Sequence, residues 1–94
     1  MDQTRGRQPG RYGFASTIVV TPATLSHFSE GERRIMRNEI YARYGYIFKS
    51  PELQAYFAAQ PWYKPVEGAG EAQLSELEKL NARTIADQQA GRRH

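Results

Sequence analysis

The chain has 94 residues, a net charge of +3 and no cysteine, so it makes one small domain at most, and disulfides, thiolate catalysis and cysteine-based zinc sites are excluded. Its longest apolar run, Ile18-Val19-Val20, is far too short to span a bilayer, and no membrane insertion is expected. Much of the basicity is terminal, at Arg5, Arg7 and Arg11 and again at Arg92 and Arg93, and a domain of this size must rest its core on a few large side chains such as Trp62, Phe48, Phe57 and Ile40.

Residues 1–13 carry Pro9 and three glycines among arginines and polar groups, a composition that cannot order itself by burial, and read as a flexible lead-in. Phe14 to Val20 is expected to be extended. Thr21-Pro22 then offers a helix N-cap followed by proline at the first helical position, opening a short helix to about Phe28. Ser29 and Glu32 have capping-box spacing and predict a helix from Glu30 to Tyr44. Gly45 suits the left-handed residue that closes a helix, and Tyr46 beyond it is then placed to pack back near Tyr41. Tyr46-Ile47-Phe48 are expected to be extended and buried. Ser50-Pro51 repeats the cap-then-proline signal for a helix that carries Leu53, Tyr56 and Phe57 and stops near Gln60, before Pro61. Residues 66–73, with Gly68 and Gly70, read as a loop. Ser75 and Glu78 make a second capping box, with Leu74, Leu77, Leu80, Thr84 and Ile85 at helical spacing to about Gln89. The residues from 90 onward are a tail. The expectation is an all-α domain over residues 14–89, three main helices plus a short leading one around an aromatic core.

On the central helix, Met36, Ile40, Tyr41 and Tyr44 share an arc that also contains Arg33 and Arg37. Ile35 and Ala42 lie on a second arc beside Asn38, so this helix packs on two sides and turns Glu32, Glu39 and Arg43 outward. An arginine within an aromatic stripe needs a partner, and Glu52, Glu78 or a carbonyl at a helix end are the candidates. Arg37, Asn38 and Tyr41 therefore admit two readings. They form an internal network that docks the helices, or they line a cleft in which Arg37 or Arg33 holds a carboxylate or phosphate and Tyr41 or Tyr44 stacks on a ligand. Trp62 is expected in the core, and Tyr63 and Lys64 at the surface, where with Tyr44 or Tyr46 they would mark a ligand face.

The stretches Arg37-Asn38-Glu39-Ile40-Tyr41-Ala42-Arg43-Tyr44-Gly45, Tyr46-Ile47-Phe48-Lys49-Ser50 and Trp62-Tyr63-Lys64-Pro65 resemble the YARHG domain of bacterial proteins. The five residues that give the family its name read here Tyr41-Ala42-Arg43-Tyr44-Gly45, with tyrosine where the family usually has histidine. The resemblance implies an accessory module of a cell-envelope or secreted protein, extracellular or periplasmic; since Met1-Asp2-Gln3 does not open a signal peptide, either the export signal belongs to a longer parent, the favoured reading, or this copy is cytoplasmic. Tyr44 removes the imidazole that would make the motif pH-sensitive or metal-binding.

No enzymatic activity and no cofactor are expected. His27 and His94 are the only histidines, and no phosphate loop, metal-ligand spacing or nucleophile elbow is present. A hydrolase built on Glu32 and Glu39 ranks last, because the two lie about 10 Å apart along one helix and read as a solvated face. The leading expectation is a non-catalytic binding module that docks a protein or a cell-wall glycan or peptide through Arg33, Arg37, Asn38, Tyr41, Arg43, Tyr44, Tyr46, Tyr63 and Lys64. The alternative is a weak, nonspecific polyanion or nucleic-acid binder. It is disfavoured because Glu30 with Arg34, and Glu39 with Arg43, have the spacing of ion pairs that offset one another. A structural spacer is the remaining possibility.

Overall fold

A computed structural model describes residues 10–91. Four helices follow one another, α1 (Pro22–Leu25), α2 (Glu30–Ala42), α3 (Pro51–Ala58) and α4 (Glu76–Gly91), with 3-10 turns at Gly13–Ser16 and Glu71–Gln73 and, among the described residues, no strand. The all-α expectation holds, and so does each helix start read from the sequence. The Thr21 side chain accepts from the Thr24 N–H, and Ser50 accepts from Leu53 with Pro51 behind it. Ser29 accepts from the Glu32 N–H at 3.1 Å while Glu32 accepts from the Ser29 N–H at 2.8 Å. Ser75 and Glu78 do the same at 3.1 and 2.9 Å. Each box satisfies two backbone donors that a helix start leaves open.

The end of α2 is equally specific. Gly45 has φ +91°, the Tyr46 N–H donates to the Tyr41 carbonyl at 3.3 Å and the Gly45 N–H to the Ala42 carbonyl at 2.9 Å. This bond pair is a Schellman closure. The Tyr41 and Tyr46 rings meet at 6.0 Å, the apolar contact that accompanies it. Gly45 has a second reason to be glycine, since a Cβ there would lie 2.6 Å from both the Lys64 carbonyl oxygen and a Val66 methyl. The Val66 N–H in turn donates to the Gly45 carbonyl at 2.8 Å.

Helix α2 is central. On one side it packs with α1, α4 and the first 3-10 turn around Tyr12, Val20, Leu25, Met36, Ile40, Leu74 and Ile85. On the other, Ala42 joins Phe48, Leu53 and Phe57, with Tyr46, Trp62 and Tyr63 packed against them. Ile35 and Tyr41 touch both clusters. The Phe48 and Phe57 rings stack at 4.8 Å, and burying each contributes about 1.5–3 kcal/mol.

Several local expectations are corrected. Residues 14–20 are not extended. They turn, because Asn81, fully buried on α4, accepts from the Val20 N–H at 2.8 Å and donates to the Ala15 and Ile18 carbonyls at 2.8 and 2.7 Å. Glu78 and Asn81 thereby take the inner face of α4, and Leu80, counted with its apolar stripe, is exposed. The fold begins ahead of Phe14, because Tyr12 is buried. The rest of the expected lead-in, residues 1–9, and residues 92–94 of the expected tail lie outside the described residues. Phe48 is buried, but Ile47 turns outward as alternation along an extended segment requires.

Glu39 and Arg43 are the largest correction. They do not face solvent but form a buried ion pair of 3.0 Å with side chains 1% and 3% exposed. Glu39 also accepts from the Arg11 and Tyr12 N–H groups at 2.8 and 2.9 Å, and Arg43 donates to the Ser16 hydroxyl through Nε and Nη2. Burial pulls the Arg43 pKa down, with Glu39 opposing. Pair, backbone donors and serine together satisfy one another, which is what a charge inside a domain requires.

Candidate functional site

The residues proposed from sequence separate into those that hold the fold and those that line a groove. Arg33 donates from Nη1 to the Leu25 carbonyl at the end of α1, 2.8 Å away. Arg43 belongs to the Glu39 pair. The Tyr44 hydroxyl donates to Glu78 Oε1 at 2.5 Å, joining α2 to α4. Burial, reinforced by Glu78, pushes the Tyr44 phenol up to about 12. Burial alone would raise the Glu78 carboxyl, but hydrogen bonds from Tyr44, the Ser75 N–H and the Ser16 and Ser75 hydroxyls outweigh it and hold the carboxyl below its usual value. Tyrosine at the usual histidine position therefore acts as a neutral donor in a fixed bond.

Tyr63 is half-buried rather than exposed, because its hydroxyl donates to the Tyr46 carbonyl at 2.7 Å. Trp62 is half-buried at the edge of the second cluster, its ring 6.0 Å from Phe57. Lys64 is exposed. Arg34 pairs across to Glu52 on α3 at 2.7 Å, in place of the expected pairing with Glu30. The two carboxylates considered for hydrolysis are not a matched pair on one open face, since Glu32 caps α2 and Glu39 is sealed inside.

What remains are Arg37, Asn38, Tyr41 and Tyr46, and these do come together. With Glu71 from the second 3-10 turn they line a cavity of about 340 Å³. A second lobe of about 180 Å³ shares Arg37, Tyr41 and Glu71 and adds Lys79, Ala82, Arg83 and Ala86 from α4. The two lobes adjoin through these three shared residues, the larger beside α2 and the smaller between α2 and α4. Asn38 is fixed by donating to the Arg34 carbonyl at 2.8 Å, and Tyr41 by the Tyr46 ring.

Arg37 is the unusual member. Its guanidinium lies over the Tyr41 ring, 5.9 Å from the centroid, and its Nε is buried without a hydrogen-bond acceptor. Arg33 also has such an Nε but spends Nη1 on Leu25, whereas no acceptor for Arg37 is found among the described residues. A buried donor left open costs about 1–3 kcal/mol, and the two Nη groups of the same guanidinium, which are not sealed, are the donors that a carboxylate or phosphate in the groove would meet. Arg37, Asn38 and Tyr41 thus line one cavity, with the Arg37 guanidinium over the Tyr41 ring. Sequence reasoning missed Glu71, Lys79 and Arg83. The fold alone brings the turn before α4 and the outer face of α4 beside α2, and no local pattern marks those three. Among the described residues no cluster of three or more histidines and carboxylates could hold a metal ion, and no helix is long and apolar enough to cross a membrane.

Fold and groove define a small all-helical domain organised on a tyrosine- and arginine-rich central helix that is closed by glycine. The YARHG domain family matches residues 12–90, and the chain belongs to that family. No curated protein and no solved structure matches it.

Proposed function

We propose that the domain is a non-catalytic binding module of a cell-envelope or secreted protein, and that it captures an anionic group of a protein or cell-wall ligand in the groove between α2 and α4. The observation that carries this reading is Arg37, a guanidinium with no acceptor among the described residues, in the wall of a cavity whose other walls are Asn38, Tyr41, Tyr46 and Glu71. A planar guanidinium offers a carboxylate two parallel N–H donors, and tyrosine faces carry sugar or peptide surface without demanding one side-chain sequence. Arg83 adds positive charge to the second lobe, where Lys79 is paired with Glu76 at 3.4 Å. Nonspecific polyanion binding is less well supported, since Arg33 and Arg43 are engaged internally and Arg34 is paired with Glu52.

Amide NMR titration tests the reading with soluble peptidoglycan fragments in one series and a short DNA duplex in another, at physiological salt. Shifts localised at Arg37, Asn38, Tyr41 and Tyr46 with the fragments are expected. Shifts confined to the arginine-rich termini, seen with DNA alone, would overturn it in favour of a polyanion surface.

A further inference from the structure

The charges of the groove do not match a purely anionic ligand. Some charges of the domain are paired, as in Arg34–Glu52 at 2.7 Å, Arg43–Glu39 at 3.0 Å and, at the second lobe itself, Lys79–Glu76 at 3.4 Å. Arg37, Arg83 and Glu71 line the same lobe, yet among the described residues none of the three is in an ion pair within 4.0 Å. An arginine and a glutamate that face one cavity without meeting leave space between opposite charges. A carboxylate bound at Arg37 would feel Glu71 as a like charge, which weakens capture of a simple anion. A ligand that brings its own ammonium turns the same carboxylate into an attraction.

We infer that the groove recognises a zwitterion, with a free carboxylate on Arg37 and Arg83, a free amino group toward Glu71 and the intervening body against Tyr41 and Tyr46. The ligand class is an amino acid derivative or short peptide with both groups unblocked. The lobe of about 340 Å³ carries Arg37, Tyr41, Tyr46 and Glu71, and Arg83 lies in the adjoining lobe of about 180 Å³, so the ligand spans both; the larger lobe alone is at the small end of the range for small-ligand sites, about 300–1,000 Å³. Tyr41 and Tyr46, with ring planes inclined at 58°, form an angled wall that a peptide plane can lie against. This inference rests on the reading of Arg37 as a ligand donor and adds the second charge and the size class.

The test is a titration of the whole chain with three small probes at pH 7, alanyl-alanine, N-acetyl-alanyl-alanine and alanyl-alanine amide, followed by amide NMR. Alanyl-alanine should shift Arg37, Tyr41 and Glu71 and bind at least about threefold more tightly than either blocked form, the scale of one exposed charge pair. Glu71→Gln should remove the advantage over the N-acetyl form and leave binding of the N-acetyl form unchanged or improved. Glu71 is exposed on a short turn, so this variant keeps the fold, and an unaltered amide spectrum away from the groove verifies that. If the N-acetyl form binds as tightly as alanyl-alanine, the zwitterion inference fails and the anion-binding groove stands. If none of the three binds, the zwitterion inference fails, and the peptidoglycan titration then decides separately whether the groove reading survives.

Discussion

Truncating Glu39 to alanine removes one carboxylate that answers three donors, the N–H groups of Arg11 and Tyr12 and the Arg43 guanidinium. The backbone donors lose their acceptor, and Arg43, with a side chain only 3% exposed, loses its carboxylate while keeping its bonds to the Ser16 hydroxyl. Breaking one side of a buried ion pair costs about 3–5 kcal/mol. A domain of this length has about 5–15 kcal/mol in all, so the loss is a large fraction of total stability. At about 4–8 °C per kcal/mol for a domain of this size, Glu39→Ala should lower Tm by roughly 12–40 °C. Circular dichroism at the helix band measures it, with Glu32→Ala as the comparator. Glu32 sits seven residues earlier in the same sequence pattern but serves only the Ser29 capping box, so its loss should cost about 1 kcal/mol, or about 4–8 °C. If Glu39→Ala falls no further than Glu32→Ala, Glu39 lies on a solvated face and the buried clamp on the N-terminal segment does not exist.

Arg37→Met should leave Tm within a few degrees of wild type, because the loss of a cation–π contact of about 0.5–1 kcal/mol is offset by removal of an unanswered buried donor. A fall beyond about 10 °C in a thermal melt would return Arg37 to a structural network. Tyr44→Phe should cost about 1.5–3 kcal/mol near neutral pH, the loss of a hydrogen bond to a charged group. Its difference from wild type should narrow at both pH extremes, as followed by Tm against pH. Glu78 has a lowered folded pKa, so its contribution is present above the unfolded value of 4.5 and is lost as pH falls through the folded one. Tyr44 has a raised folded pKa, so its contribution is complete below 10.0 and is lost as pH rises through about 12. Gly45→Ala should cost at least about 2 kcal/mol, from positive φ together with the approach of Lys64 and Val66, and denaturant melts would show it as a lowered midpoint.

The parts of the fold that were legible in the sequence are those whose physics is local. Thr21, Ser29, Ser50 and Ser75 each cap within three residues, and the Gly45 closure with its Tyr41–Tyr46 contact is complete within six. The two-sided packing of α2 was legible because its apolar residues, Met36 and Ile40 on one arc and Ile35 and Ala42 on another, report it by spacing alone. Glu39, Arg43 and Asn81 were not. Helical projection treats a polar side chain as outward, and what brings these inside are partners at a sequence separation of 27 to 66 residues. The same long-range pull turned residues 14–20 around Asn81 and moved Leu80 off the inner face of α4. At the groove, Arg37, Asn38, Tyr41 and Tyr46 stood out as cations and rings within one motif. Tyr44 stood out too, but its hydroxyl is used by Glu78 across the helix pair. Glu71, Lys79 and Arg83 enter the groove only through the packing of α4 against α2, which spacing within any single segment does not encode.

Whether Arg37 serves a ligand anion is decided by calorimetric titration of wild type and Arg37→Met with the same soluble peptidoglycan fragments. Wild type should bind, and Arg37→Met should bind about tenfold or more weakly, the loss of a charge-assisted bond, while the two proteins melt together. Equal affinity in two equally stable proteins would contradict that role and leave the guanidinium over Tyr41 as packing alone.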